Sequence, residues 1–184
     1  MFALIGLGGE AIRQAEELNW KRLLPYLGLL SLRAHSAALI EAVLRYYFKH
    51  AAFDIEQCLE RRVEIPDEQR NRLGRANSHL GDSLVLGEQV RDRSGKFRIH
   101  IRELSWTRFH DFLPIGDGHA PLRALVRFTL RDPLDYDIRL QLRPDELRAL
   151  RIGAGNPCRL GWTSWLGHER ADGLVTLGGT TLQG

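Results

Sequence analysis

Apolar side chains in the first fifty residues recur at the spacing of helices. From Ser36 to Phe48 they form two adjacent i, i+4, i+8 rows, which predicts a mostly buried helix with Ser36 at its N-cap. Leucines are similarly spaced within residues 11–32, but Pro25 and Gly28 interrupt them, so we predict two helical pieces there. The rows of the clearer helix are Leu39, Val43, Tyr47 and Ile40, Leu44, Phe48.

Farther along the chain, apolar and polar residues alternate at the spacing of strands. Two segments, Leu84–Val90 and Lys96–Leu104, flank the turn sequence 92–95, and together they predict a β-hairpin. One face of the second strand is expected to pack and the other to be solvated or to dock onto a partner. In that strand Phe97, Ile99 and Ile101 alternate with Lys96, Arg98, His100 and Arg102.

The order of the predicted elements indicates the fold class. Helices come first and mostly local strands follow, which predicts an α+β fold with N-terminal helices packed on a mostly antiparallel, β-rich C-terminal region. We divide the chain into a helical segment at residues 1–50 and a β-rich region at 51–184, which form one compact unit. The other predicted elements are a bent strand Phe53–Ile65, a helix from Ser105 to Pro114, a helix Pro121–Leu130, strand Tyr136–Leu142, a short helix Pro144–Leu150, and strands Cys158–Trp162 and Leu174–Leu177.

Length and composition narrow the class of protein. A chain of 184 residues can bury a core without metal or disulfide staples, so Cys58 and Cys158 are predicted to be reduced core residues. No apolar run approaches the ~18 residues that span a bilayer. The N-terminus also lacks the features of a signal peptide, so we expect no membrane insertion and a cytoplasmic location. The net charge of +3, from 26 basic and 23 acidic residues, is too mild to indicate nucleic-acid binding.

Motifs for catalysis or metal binding are not found. The glycine-rich segment 6–9 lacks the Lys-Ser/Thr pair of a phosphate loop, and the seven histidines show no metal-ligand spacing. Asp135 and Asp137 are close in sequence, but Arg131 and Arg139 flank them, so a salt-bridged face is favoured over a catalytic pair. We therefore expect no enzymatic activity, no metal and no cofactor.

Arginines on the predicted hairpin leave two binding classes open. In a single-strand nucleic-acid binder, exposed aromatic rings share a face with the arginines. Here Phe97 has the opposite parity to Arg98 and Arg102, which favours a solvated or protein-docking face. An arginine-rich nucleic-acid-binding module remains the alternative to a protein-docking role.

Two apolar segments are candidate contacts for a protein partner. Four apolar residues precede the glycine-rich stretch 116–118 and could form a protruding docking loop, or the first two could close the preceding helix into the core. Near the C-terminus, two tryptophans fit an interface or a core equally well. With two strand arginines, the candidate partner-binding residues are Phe112, Leu113, Pro114, Ile115, Trp162, Trp165, Leu166, Arg98 and Arg102.

Five blocks that occur in order resemble a known family. The blocks are Pro25–Leu30 with Arg33–Ala37 and Tyr46–Phe48, then Leu73–Gly87, then Val90–Ile99, then Phe109–Pro114, and finally Gly161–Gly167. Together they resemble the type VI secretion baseplate subunit family TssG, also called ImpH or VasB. The resemblance covers residues 25 to 177. The N-terminal half typical of that family is not matched, so we expect Met1 to begin a C-terminal portion.

The resemblance implies an assembly role. A member of this family is expected to be a structural subunit of the baseplate wedge that binds a TssF dimer, TssK trimers and other baseplate components in a contractile injection machine. It implies a cytoplasmic protein docked at the inner-membrane secretion complex. It implies no cofactor and no nucleic acid.

Overall fold

A computed structural model describes residues 18–31, 36–72, 74–130, 132–147, 159, 161–165 and 172–179. The chain divides into two compact units. The first comprises Met1–Gln57 and Phe97–Gly184, and the second comprises Cys58–Lys96. The strands are β1 (Phe53–Glu56), β2 (Arg61–Glu64), β3 (Gln89–Asp92), β4 (Lys96–Leu104), β5 (Asp135–Leu142) and β6 (Leu174–Gly179).

Two short helical pieces begin the described part of the first unit. Helix α1 (Trp20–Leu23) and helix α2 (Leu27–Leu30) are joined by a 3-10 turn at Leu24–Tyr26. Pro25 lies in that turn, because proline has no backbone N–H for a continuous helix. The predicted interruption at Pro25 is therefore confirmed, whereas Gly28 lies within helix α2 and the interruption predicted there is wrong.

Helix α3 spans Ala37–Phe48, as its apolar spacing predicts. The Ser36 hydroxyl accepts a hydrogen bond from the Leu39 amide at 3.2 Å and thereby caps the first turn. Lys49 adopts a left-handed conformation and ends the helix. Both predicted apolar rows face the interior, and the buried members are Ile40, Val43, Leu44, Tyr47 and Phe48.

The sheet of the first unit has the order β1-β4-β5-β6. The pairs β1–β4 and β5–β6 are antiparallel. Between β4 and β5, contacts join Phe97 to Tyr136, and the Arg143 amide donates to the Leu104 carbonyl at 2.9 Å. Residue numbers rise together on both strands, so this pair is parallel. The predicted α+β fold is therefore confirmed, and its main sheet is mixed, with one parallel pair between two antiparallel pairs.

Two helices connect the parallel strands and cover the sheet. Helix α4 (Trp106–Phe112) begins at the cap Ser105, whose hydroxyl accepts from the Arg108 amide. Helix α5 (His119–Thr129) begins two residues before the predicted start at Pro121, because the turn that ends at Gly118 already supplies its N-cap. The core beneath these helices includes Leu44, Phe53, Ile99, Ile101, Leu104, Phe109, Phe112, Leu122, Leu125 and Leu140.

Helix α3 also covers the outer edge of the sheet. The Ile55 amide of β1 donates to Glu41 Oε1 at 2.9 Å, and the Phe53 carbonyl accepts from Arg45 Nε at 3.0 Å and from Arg45 Nη2 at 2.6 Å. Arg45 and Glu41 are themselves joined at 3.1 Å. Side chains of one helix turn therefore pair with the peptide groups that β1 would offer to another strand.

The second unit contains a two-stranded sheet in which β2 pairs antiparallel with β3. The predicted hairpin of Leu84–Val90 with Lys96–Leu104 is therefore wrong, because β3 pairs with β2 and β4 pairs with β1 and β5. The first predicted strand is also too long, since Leu84 to Glu88 have no strand structure. Likewise, the single bent strand predicted at Phe53–Ile65 is two strands that belong to different sheets.

Two smaller predictions also need correction. Cys58 is exposed, with a positive φ of 59°, and is not a core residue; Cys158 lies outside the described residues. The described part of the predicted strand Cys158–Trp162 ends in a turn that begins at Gly161.

No described helix is long and apolar enough to cross a bilayer.

Candidate partner-binding site

The polar face of β4 carries the two predicted candidate arginines, and both pair within the sheet. Arg98 Nη2 lies 3.2 Å from Asp137 Oδ2, and Arg98 Nη1 lies 3.5 Å from Glu56 Oε2. Arg102 Nη2 lies 3.0 Å from Asp54 Oδ2. Neighbouring strands thus supply carboxylates to this face, as the predicted salt-bridged arrangement requires, although the ion pair of Asp137 uses Arg98 of β4.

A histidine completes the polar row on β4. His100 Nε2 lies 2.9 Å from Glu56 Oε2. This hydrogen bond, assisted by the charge of Arg98, holds the pKa of the Glu56 carboxyl below its ordinary value. The row is therefore a set of cross-strand pairs whose charges compensate one another. Among the described residues no group of three or more histidine, cysteine or acidic side chains could hold a metal ion.

The predicted docking loop is largely part of the core. Phe112 and Leu113 are fully buried, so the second of the two alternatives left open by the sequence holds for them: they close helix α4 into the interior. Pro114 and Ile115 are exposed, and the exposed fraction of Ile115 is 51%. Only the second half of the predicted loop is therefore available at the surface of this chain.

Tight backbone contacts fix the turn after this segment. A Cβ added at Gly116 would lie 2.2 Å from the His110 carbonyl oxygen, so only glycine fits. The Gly118 amide donates to the Asp111 carbonyl at 2.9 Å, and His119 Nδ1 lies 3.0 Å from the Phe112 carbonyl oxygen. Burial lowers the pKa of His119. The glycine-rich stretch is a packed turn.

The tryptophan segment lies against the core of the first unit. Trp165 makes edge contacts with Trp106 and Phe109, with ring centroids 6.4 Å and 5.8 Å apart. Trp162 and Trp165 are both half-buried and pack against buried apolar residues. Leu166 lies outside the described residues. The two described tryptophans therefore contribute to the core and leave part of each ring at the surface.

The large apolar side chains with the highest exposed fractions among the described residues lie in the second unit. Leu80 is 89% exposed and Leu86 is 79% exposed. Val85 and Val90 are also exposed. We call these four residues the apolar surface of the second unit. One sequence signal could have revealed it: Leu84, Val85 and Leu86 run without polar alternation between two glycines that both adopt positive φ.

A family model described as "Type VI secretion, TssG" matches residues 1–167. The chain belongs to the type VI secretion TssG family. The match begins earlier than the segment at residues 25–177 on which the sequence resemblance rests. No curated protein matches the chain.

Two solved structures share the TssG fold of this chain. One is described as the type VI secretion system TssK-TssF-TssG baseplate subcomplex revealed by cryo-electron microscopy; it is 19% identical, with a TM-score of 0.71, over 96% of this chain and 75% of that chain. The other, the baseplate complex from the type VI secretion system, is 22% identical, with a TM-score of 0.54, over 97% of this chain and 50% of that chain. At these identities the likeness shows a common fold.

In this TssG family member, one of the blocks that carry the family resemblance contains three of the four residues of the apolar surface. Leu80, Val85 and Leu86 all lie within Leu73–Gly87. Large side chains without a packing role in the described chain are candidates for contacts with another protein.

Proposed function

We propose that this chain is a structural, non-enzymatic subunit of the type VI secretion baseplate that binds TssF and TssK. Membership of the TssG family and the shared fold with chains of TssK-TssF-TssG baseplate complexes support this assembly role. The proposed location is the cytoplasm, with docking at the inner-membrane secretion complex after assembly. The role requires no cofactor and no nucleic acid.

The observation that carries the proposal is the apolar surface of the second unit. Burying one exposed leucine at an interface contributes about 1.5–3 kcal/mol, so Leu80 and Leu86 together could account for a hundredfold or greater change in affinity, at roughly 1.4 kcal/mol per tenfold. Pro114, Ile115 and Arg102 remain proposed secondary contacts, because their side chains are exposed in the first unit. Trp162 and Trp165 remain candidates through the parts of their rings at the surface.

Co-purification tests the proposal directly. The full chain is expressed with TssF and TssK from the same operon, alongside the variant Leu80→Ser with Leu86→Ser. We expect the wild type to retain at least one partner and the variant to lose it. A matched control, Leu24→Ser with Leu29→Ser, removes two exposed leucines from the first unit and should retain the partner.

Folding and nucleic-acid binding are measured on the same samples. Circular dichroism should show equal melting of all three proteins, because the substituted side chains are exposed. Capture of neither TssF nor TssK by the folded wild type would refute the proposed function. Gel-shift binding to generic DNA or RNA that weakens steeply with salt would instead support the nucleic-acid alternative.

A further inference from the structure

One face of the β2–β3 sheet has more positive than negative charge. Side chains alternate along a strand, so Arg62 shares a face with Arg91, which lies directly opposite it. Both side chains are exposed. Like charges directly opposite each other destabilise a sheet. At the far end of the same face, Glu64 lies opposite the uncharged Gln89.

A single carboxylate stands at the arginine end of this face. Glu60 Oε2 accepts from Arg93 Nη2 at 2.9 Å and from Arg93 Nε at 3.3 Å, and Glu60 Oε1 lies 3.6 Å from Arg91 Nε. The hydrogen bond from Arg93 lowers the pKa of Glu60, and the charges of Arg91, Arg93 and Arg62 lower it further. Two guanidinium groups therefore contact one acidic side chain, and the charge of Arg62 also acts on it. We call these four residues the arginine face.

The guanidinium groups of the arginine face retain capacity for another ligand. The side chains of Arg91 and Arg93 are 73% and 72% exposed despite their contacts with Glu60. Among the described residues, the Arg62 side chain makes no hydrogen bond or ion pair, although its charge acts on Glu60. Guanidinium N–H groups match carboxylate oxygens in geometry and charge.

On the opposite face of the same sheet, positive and negative side chains are paired. Arg61 Nε donates to Asp92 Oδ2 at 2.8 Å, and the Ser94 amide and hydroxyl donate to Asp92 Oδ1. Each charge on that face has its own partner within the unit. The second unit as a whole has nearly equal numbers of acidic and basic residues. The surplus of positive charge is therefore confined to the arginine face.

We propose that the arginine face binds a carboxylate-rich segment of a protein partner in the secretion assembly. The partner's acidic side chains would contact Arg62 and the outer N–H groups of Arg91, beside the position that Glu60 already occupies. This inference rests on the proposed function and names the chemistry of one of its contacts. A carboxylate is favoured over nucleic acid because residues 58–96 contain no phenylalanine, tyrosine or tryptophan on which bases could stack.

The test compares two charge-matched variants of the full chain. Arg62→Gln with Arg91→Gln removes two positive charges from the arginine face. The control Arg72→Gln with Arg75→Gln removes two exposed arginines of the same unit that lie outside β2 and β3. The first variant should be as stable to urea as the wild type, because it removes a like-charge pair.

Binding is measured first with chemical probes. Fluorescence anisotropy follows a labelled octaglutamate peptide and a labelled oligothymidylate at several salt concentrations. We expect the wild type and the control to bind octaglutamate and the Arg62/Arg91 variant to bind it about tenfold more weakly. Equal loss in both variants would overturn the inference, since the effect would then be one of net charge. Tighter Arg62-dependent binding of oligothymidylate would overturn it in favour of phosphate.

Partner capture separates this inference from the proposed function. If the wild type binds TssF or TssK and the Arg62/Arg91 variant binds at least about fivefold more weakly while the control does not, the arginine face is part of that interface. Equal capture by wild type and variant would overturn the inference and leave the proposed function standing. If the wild type captures neither protein, the proposed function fails, and loss or retention of octaglutamate binding in the variant then supports or overturns acid recognition at this face.

Discussion

The substitution Phe112→Ala tests whether the last residue of helix α4 stabilises the core or binds a partner protein. The Phe112 ring is fully buried, and its centroid lies 5.1 Å from that of Phe48 and 6.1 Å from that of Phe53. Truncating such a ring removes apolar contacts and leaves a cavity among residues that cannot fully relax. The expected loss in the free energy of unfolding is about 3–5 kcal/mol.

Urea denaturation followed by tryptophan fluorescence measures this loss. With a urea m-value of about 2 kcal/mol per molar, the midpoint should fall by about 1.5–2.5 M. The control is Ile115→Ala, because that side chain is half exposed and its truncation should change stability by less than about 0.5 kcal/mol. Both variants belong to the four-residue segment before Gly116, for whose first two residues the sequence left docking and core packing open.

An unchanged midpoint for Phe112→Ala would refute the packing argument. Loss of TssF or TssK capture by a Phe112→Ala protein of wild-type stability would restore the docking interpretation of this residue. Conversely, a large destabilisation by Ile115→Ala would contradict the exposed position of that side chain.

Two further predictions concern a glycine and a carboxylate in the first unit. Gly116→Ala should destabilise the protein by roughly 1–3 kcal/mol, measured by thermal denaturation, since its Cβ would lie 2.2 Å from a backbone carbonyl oxygen of helix α4. Glu56→Gln should reduce the loss of stability in acid, measured as the urea midpoint against pH. The hydrogen bond from His100 places the folded pKa of Glu56 below its unfolded value, so its stabilising contribution is present above the unfolded pKa and is lost as the pH falls through the folded pKa.

The glycine prediction has a matched control variant, and the Glu56 prediction is judged against the wild type. Gly178→Ala adds the same methyl group where nothing lies within 4 Å, so it should leave the melting temperature nearly unchanged. If Gly116→Ala has the same melting temperature as the wild type, the turn can accommodate a Cβ and the tight contact at Gly116 is contradicted. If Glu56→Gln and the wild type have parallel pH profiles, the hydrogen bond from His100 does not contribute to acid sensitivity.

The sequence correctly predicted those helices and strands whose apolar spacing and capping residues lie within one short segment. Helix α3 has two complete apolar rows and a serine cap, and β4 alternates from Lys96 to Arg102, so both form as expected. Helix α4 also begins where it is predicted to begin, with Ser105 as its N-cap. In these segments the local backbone preference and the burial of one face favour the same structure.

The predicted hairpin failed because strand pairing is a long-range property. The turn sequence after Asp92 is typical of a hairpin, but it cannot show that β3 pairs with β2, whose residues lie some thirty positions earlier. The same limit applies to the site. An apolar residue in the sequence can belong to the core or to a protein interface, and its type alone does not distinguish the two. Only the fold shows that Leu113 is buried while Leu86 is exposed.

The cover that helix α3 provides for strand β1 has a consequence for a protein that works within a large assembly. Peptide groups of β1 that could recruit a foreign strand are already bonded to Glu41 and Arg45. Fibre growth from this border of the sheet would first require a turn of helix to release both side chains. While helix α3 holds these two peptide groups, β1 is a poor template for another strand, so we expect contacts with other proteins on other surfaces of the chain.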